Sequence, residues 1–101
     1  MTHQSIMNTW ESYVRGDPMT DEQKDDICDK MGYIRVRSIR WDDDCIWLKT
    51  QQRDEYYIST LFLKGGYTRE QWRRTLHERG FCPLSIEKIL DSMASRHFLR
   101  D

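Results

Sequence analysis

The chain has 101 residues, of which 33% are charged and 38% are hydrophobic, and its formal net charge at pH 7 is −1. Its length predicts a single small domain over residues 1–101 with one modest core, and its nearly balanced charge argues against the strongly basic class of nucleic-acid binders. The four Trp and five Tyr residues favour a folded domain over a disordered chain.

The spacing of the cysteines argues against a metal site. The chain has three of them: Cys28, Cys45 and Cys82. They are 17 and 37 residues apart, whereas structural zinc sites pair cysteines and histidines a few residues apart. No stretch resembles a secretory segment or a membrane-spanning helix. We therefore expect reduced thiols, a cytoplasmic protein without a membrane partner, and neither a metal nor a cofactor.

Two helices are predicted in the N-terminal part. Residues 3–15 place apolar side chains at helical spacing, and Gly16 ends the pattern. Thr20 and Gln23 have the spacing of a capping box, so a second helix begins after Thr20. Gly32 supplies the left-handed residue that typically ends such a helix.

The second predicted helix carries carboxylates, which we call the acidic strip: Asp21, Glu22, Asp25, Asp26 and Asp29. Three of them recur every fourth residue and therefore share one face. Residues 1–31 carry 3 basic and 7 acidic side chains, whereas residues 64–101 carry 8 basic and 5 acidic ones. Such a strip is typical of a solvated helix face, and it also fits contact with a basic surface on a partner.

Residues 33–50 are predicted to form a β-hairpin. Tyr33–Arg37 alternates with a period of two, and the parity changes near Ser38, which predicts a bulge. Asp42–Asp44 is the expected turn and residues 45–50 are the return strand. The hairpin and the segment after it hold aromatic residues that are candidate anchors for a partner: Trp41, Trp47, Tyr56 and Tyr57.

Residues 54–64 fit two structures. Their β-formers favour a third strand, whereas Asp54 as a cap and an apolar stripe favour a helix. Gly65 and Gly66 follow directly, and such glycines are typical of a helix C-terminus. We therefore prefer the helix and leave the strand as the alternative.

Two helices are predicted after this segment. Thr68–Gln71 has capping-box spacing, and Gly80 is the expected end of that helix. The last helix begins at Ser85, or one turn earlier at Pro83, and its apolar stripe runs to His97.

With residues 54–64 as a helix, the C-terminal part has the outline of a helix-turn-helix unit. The candidate nucleic-acid contacts lie on the helix before the turn: Arg69, Arg73, Arg74 and His77. The would-be recognition helix instead presents Glu87, Lys88 and Asp91 outward, and two acids for one base suit phosphate contacts poorly. DNA binding is therefore the alternative function.

The predicted fold class is α+β: two N-terminal helices, a β-hairpin or short antiparallel meander, and a C-terminal unit of two or three helices. The sequence contains no phosphate-binding loop and no nucleophile elbow, so we expect no enzyme. We predict a small non-enzymatic binding or regulatory protein that docks on a protein partner, with the acidic strip against a basic surface. Its size is in keeping with inhibitors and accessory proteins of mobile elements. The alternative is a DNA-binding transcriptional regulator.

Overall fold

The structure, a computed structural model, describes residues 2–52, 56–59 and 66–100. The elements follow in the order α1 (His3–Arg15), α2 (Asp21–Met31), β1 (Val36–Trp41), β2 (Cys45–Thr50), β3 (Tyr56–Ser59), α3 (Arg69–Glu78) and α4 (Pro83–Ser95). This order confirms the predicted α+β fold, with two N-terminal helices, an antiparallel meander and a C-terminal helical unit. Within the described ranges no helix is long and apolar enough to cross a membrane.

The N-terminal helices begin and end where the sequence predicts. In α2, the Gln23 N–H donates to Thr20 Oγ1 at 3.1 Å and the Thr20 N–H donates to Gln23 Oε1 at 2.9 Å, which completes the capping box. Gly16 and Gly32 follow the two helices with φ of 81° and 80°. A side chain is strained in that conformation, so glycine is the residue that ends both helices at low cost.

The sheet has the strand order β1–β2–β3, and both neighbouring pairs are antiparallel. The register between β1 and β2 shifts between Val36 and Ser38, as the change of parity predicts. On the central strand, Ile46 and Leu48 are fully buried, whereas Lys49 between Leu48 and the strand end is exposed. One face of the sheet therefore meets the core, and we call the opposite face the outer face.

The helical interpretation of residues 54–64 is wrong where the structure describes that segment. Tyr56–Ser59 form strand β3, and the rest of the segment lies outside the described residues. The strand is favoured because its alternation places Ile58 opposite the buried Ile46 of β2, so one pairing satisfies the backbone and extends the core face. The first of the three helices expected in a helix-turn-helix unit is therefore replaced by a strand over Tyr56–Ser59.

Strand β1 begins later than the alternation of Tyr33–Arg37 predicts. Ile34 forms an isolated parallel bridge with Phe81 in the turn between α3 and α4. The Ile34 N–H donates to the Gly80 carbonyl at 2.8 Å, and the Cys82 N–H donates to the Ile34 carbonyl at 2.9 Å. The backbone at Ile34 is therefore committed to the C-terminal helices, and pairing with β2 starts only at Val36.

The main core lies between the inner face of the sheet and the helices α3 and α4. Its buried members are Val36, Ile46, Leu48, Trp72, Leu76, Phe81, Ile86, Ile89, Leu90 and Met93. A second cluster joins α1 and α2 to the start of α4, with Tyr13, Ile27, Cys28 and Cys82 buried. Trp10 stacks on Tyr33 beside this cluster, with 5.1 Å between the ring centroids. The start of α4 therefore packs in both clusters, with Cys82 in the second cluster and Ile86 in the main core.

Helix α4 begins at Pro83, the earlier of the two predicted starts, with Cys82 as the residue before its first turn. The helix ends at Ser95, before the end of the apolar stripe. His97 lies beyond it, exposed, with φ of 62° in the left-handed region. The predicted extension of the helix to His97 is therefore wrong, because the chain reverses there and Phe98 returns to stack on Trp41.

Candidate functional site

The strands sort the four candidate aromatic anchors onto two faces. Trp41 and Tyr56 point to the core side. The Trp41 ring stacks on Phe98 at 5.4 Å, and its Nε1 donates to Ser92 Oγ at 2.7 Å. Tyr56 meets Phe81 edge-on at 6.0 Å. Both rings are packed against the main core, so they already have apolar partners within the chain, and the Trp41 indole N–H has a polar one.

Trp47 and Tyr57 lie on the outer face, where they form what we call the aromatic row: Arg40, Trp47 and Tyr57. The register places these residues directly opposite one another on the three strands. The Arg40 guanidinium carbon lies 5.3 Å from the Trp47 ring centroid, and the Trp47 and Tyr57 centroids are 5.4 Å apart. Tyr57 is 65% exposed. The row therefore presents two aromatic rings and a cation side by side on the outer face of the sheet.

Asp42, in the β1–β2 turn, holds Trp47 in place. Asp42 Oδ2 accepts from Trp47 Nε1 at 2.6 Å, and its Oδ1 accepts the backbone N–H groups of Asp44 and Cys45, each at 2.8 Å. These donors, the Trp47 indole first among them, lower the pKa of Asp42 to about 2 because they stabilise its anionic form. An anchor that is already oriented loses little conformational entropy when it meets a partner.

A second exposed pair lies beside the aromatic row. Ser38 and Lys49 are opposite each other on β1 and β2, and both are exposed. The outer face therefore carries two cationic side chains, Arg40 and Lys49, next to its two aromatic rings. In the sequence, these residues are distinguished only by their alternate positions along the strands. Such positions show which side chains face outward only when it is known which face of the sheet packs on the core.

Two members of the acidic strip contact this chain's own arginines. Asp25 is 9% exposed and Arg35 is 8% exposed, and Arg35 Nη1 donates to Asp25 Oδ1 at 2.7 Å. Arg37 also pairs with Asp25, with its Nε 2.9 Å from Oδ2. Asp21 Oδ1 accepts from Arg35 Nη2 at 2.8 Å, and this contact lowers the pKa of Asp21. Asp25 is too deeply buried to meet a partner surface.

The other members of the acidic strip, Glu22, Asp26 and Asp29, are exposed. Asp26 pairs with Lys30 at 2.7 Å, a spacing of four residues along α2. Asp29 accepts from Gln51 Nε2 at 3.1 Å. Asp21 is exposed too, so only Asp25 is missing from the surface of the strip, and Asp21, Asp26 and Asp29 carry contacts within the chain.

Two of the candidate nucleic-acid contacts are paired with carboxylates. Arg69 Nη2 donates to Asp91 Oδ1 at 2.6 Å. Arg73 forms a bidentate pair with Glu87, at 3.1 and 2.9 Å, and also donates to Glu70 at 2.7 Å. The Arg73 guanidinium lowers the pKa of Glu87. These arginines join α3 to α4, and the adjacent carboxylates offset the positive charge that a phosphate backbone requires.

Arg74 and His77, the other two candidate contacts, are exposed on α3. They line an open groove of about 440 Å³ between α3 and α4, together with Pro83 and Ile86. Arg73 lines this groove too, and it also borders an open pocket that Arg69, His97 and Arg100 line. Arg73 thus links the four candidate residues, and the carboxylates of Glu70 and Glu87 lie among them.

Across the described parts of the chain, no group of three or more His, Cys, Asp and Glu side chains is arranged to hold a metal ion. The chain matches no protein-family model, and comparisons with curated proteins and with solved structures give no match either.

Proposed function

We propose that the chain is a small non-enzymatic binding protein that docks on a protein partner through the outer face of its sheet. The observation that carries this proposal is the aromatic row, in which an exposed Tyr57, an oriented Trp47 and the Arg40 guanidinium lie in register on three strands. Tyr, Trp and Arg are the side chains that most often dominate the energetics of protein interfaces. An inhibitor or accessory role is one form that such docking takes.

Cationic side chains on the outer face offer contacts to individual carboxylates of the partner. Arg40 and Lys49 both lie on this face, one in the aromatic row and one in the adjacent pair. Complementary charge steers the encounter and fixes its register. The acidic strip adds a second, smaller contact region through Glu22, Asp26 and Asp29, which are exposed on α2.

A protein partner is favoured over single-stranded nucleic acid on the same face. Exposed aromatic rings with adjacent cations also stack nucleic-acid bases. The Asp42 carboxylate, however, contacts the Trp47 indole directly, and Asp43 and Asp44 follow it in the same turn. Three carboxylates beside the aromatic row repel a phosphate backbone, which carries a negative charge at every nucleotide.

The test is a quantitative affinity capture from a nuclease-treated extract of the source cells. Tyr57→Ala removes an exposed ring, and we expect the amount of captured partner to fall at least about tenfold, as for a hot-spot residue. Leu84→Ala is the matched control, because Leu84 is an exposed apolar residue on α4, 38% exposed, and its removal should leave capture unchanged. Equal capture by the wild-type protein and both variants would reject the outer face as the docking surface. Capture that occurs in an untreated extract and disappears on nuclease treatment would indicate a nucleic-acid partner.

A further inference from the structure

A cleft opens where the end of α1, the middle of α2, the start of β1 and the first turns of α4 meet. Its volume is about 200 Å³. Gly16 follows α1, Lys24 belongs to α2, Arg35 precedes β1, and Ser85 and Lys88 belong to α4; all five residues line the cleft. The cleft shares no residue with the aromatic row, so it is a feature separate from the proposed docking surface.

The Ser85 side chain brings a buried hydroxyl group to the cleft. Ser85 is 3% exposed. Its Oγ accepts from the Val36 N–H at 2.8 Å and from Cys82 Sγ at 3.1 Å. A serine oxygen has two lone pairs and one hydrogen, so these contacts use both lone pairs and leave the hydroxyl hydrogen to donate. Within the described ranges this hydroxyl donates to no other residue, and it is therefore available to an oxygen atom of a ligand.

The charged side chains that line the cleft are three cations and one carboxylate: Lys24, Arg35, Lys88 and Asp17. Two of them are neutralised by neighbours. Asp17 pairs with Arg15 at 2.8 Å, and Arg35 pairs with two carboxylates of α2, one of which also binds Arg37. In the described part of the chain neither of the two lysines forms an ion pair. The cleft therefore keeps two positive charges without a carboxylate opposite them.

The two lysines approach the cleft from different helices. Lys24 lies on α2 and is half-buried, whereas Lys88 lies on α4 and is exposed. Lys88 Nζ donates to the Arg37 carbonyl at 3.1 Å. An ammonium group has three hydrogens, so this contact positions Lys88 and leaves it two further hydrogen bonds to give. Both lysines can therefore donate to one ligand that lies in the cleft between α2 and α4.

The first turn of α4 adds to the positive potential of the cleft. Leu84 and Ser85 are the second and third residues of this 13-residue helix, and both line the cleft. The N-terminal end of a helix favours a negative charge. The lysines, the free hydroxyl hydrogen and the helix end thus share one requirement, a compact anion whose oxygen atoms accept several hydrogen bonds.

We propose that this cleft is a binding site for a phosphate group, either inorganic phosphate or the monoester of a small molecule. A phosphate monoester carries a charge of about −1.5 to −2 at neutral pH, which matches the two unpaired lysines, whereas a carboxylate carries a single charge. The Ser85 hydroxyl and the two ammonium groups donate to the phosphate oxygens. The cleft is several times larger than the roughly 30 Å³ that a water molecule occupies in the liquid, and a phosphate group fits within it.

The test is a titration of the folded, isotope-labelled chain with sodium phosphate at constant ionic strength, followed by amide chemical shifts. We expect saturable shifts at Gly16, Leu84 and Ser85, which line the cleft. Lys24→Gln and Lys88→Gln should each raise the Kd for phosphate at least about tenfold, because each variant removes a charge-assisted hydrogen bond. Lys49→Gln is the matched control, since Lys49 is an exposed lysine on the outer face of the sheet, and its Kd should be unchanged.

A second titration, with methyl phosphate, distinguishes the two sources of the phosphate group. Tighter binding of methyl phosphate than of inorganic phosphate would support a monoester as the ligand, and weaker binding would support inorganic phosphate. Shifts that grow without saturation, or that sodium chloride reproduces, would overturn the proposal. A Kd that is the same in the wild-type protein and in both cleft variants would overturn it too. The amide spectrum of each variant shows whether it is folded, and the titration of the wild-type protein decides the proposal without them.

Discussion

Asp25 of α2 and Arg35, just before β1, form a buried ion pair in which Arg35 Nη1 donates to Asp25 Oδ1 at 2.7 Å. Arg37 binds the second oxygen of the same carboxylate. The pair connects the N-terminal helices to the sheet. Asp25 and Arg35 compensate each other's charge inside the protein.

Asp25→Asn should destabilise the protein strongly. The substitution removes the one buried charge that compensates Arg35, which typically costs about 3 kcal/mol or more, and leaves Arg35 with the carboxylate of Asp21, which is exposed. Urea denaturation measures the change. Asp26→Asn is the control, because the Asp26–Lys30 pair is exposed and its loss should cost about 0.5 kcal/mol or less. Similar losses of stability in the two variants would contradict the burial of the Asp25–Arg35 pair.

The contact between Asp42 and Trp47 should depend on pH in the acidic range. The pKa of Asp42 in the folded protein is about 2, below its value of about 3.9 in an unfolded chain. A lowered pKa means that the contact contributes stability above about pH 4 and loses that contribution as the pH falls toward 2. The Trp47 indole N–H resonance should therefore shift near pH 2, and Asp42→Asn should abolish the shift. A midpoint near pH 4 would contradict the three hydrogen bonds to Asp42.

His97→Gly should stabilise the protein. His97 has φ of 62°, and its N–H donates to the Ala94 carbonyl at 3.0 Å just beyond α4. Glycine is favoured at such a left-handed position after a helix, and we expect a gain of about 0.5–1 kcal/mol in the free energy of unfolding. Ala94→Gly, within the helix, should lose about 0.5 kcal/mol. Thermal unfolding measures both, and a loss of stability in both variants would mean that His97 has favourable contacts outweighing its backbone conformation.

Ser85→Ala should weaken the junction between β1 and α4. Ser85 is 3% exposed and accepts from the Val36 N–H, so the substitution leaves a buried donor without its acceptor, at a cost of about 2 kcal/mol. Ser95→Ala changes an exposed serine at the end of the same helix and should alter stability by less than about 0.5 kcal/mol. If chemical denaturation finds the two variants equally stable, the hydrogen bond from Val36 contributes little.

The sequence is most informative where structure is determined locally. Thr20, Gln23 and Gly32 predict the bounds of α2 because a capping box and a left-handed end residue involve only neighbouring residues. The change of parity near Ser38 predicts the bulge for the same reason. Residues 54–64 are different, since their apolar pattern fits either structure, and pairing with β2 decides for the strand only over Tyr56–Ser59.

The candidate site is less accessible from sequence because it depends on contacts between distant segments. Asp25 has the spacing of a solvated helix face, and its burial becomes visible only when Arg35 and Arg37 are placed against α2. Trp41 and Trp47 are equivalent as sequence signals. Only the packing of α4 against one face of the sheet makes Trp41 part of the core and leaves Trp47 on the outer face.

Site-specific photocrosslinking from position 57 tests the docking surface most directly. A benzophenone amino acid in place of Tyr57 should yield one discrete protein adduct in a nuclease-treated extract, and excess unlabelled wild-type protein should compete it away. The same group in place of Leu84, exposed on α4, should yield no such adduct. Absence of an adduct from position 57, or the same adducts from both positions, would contradict docking through the outer face of the sheet.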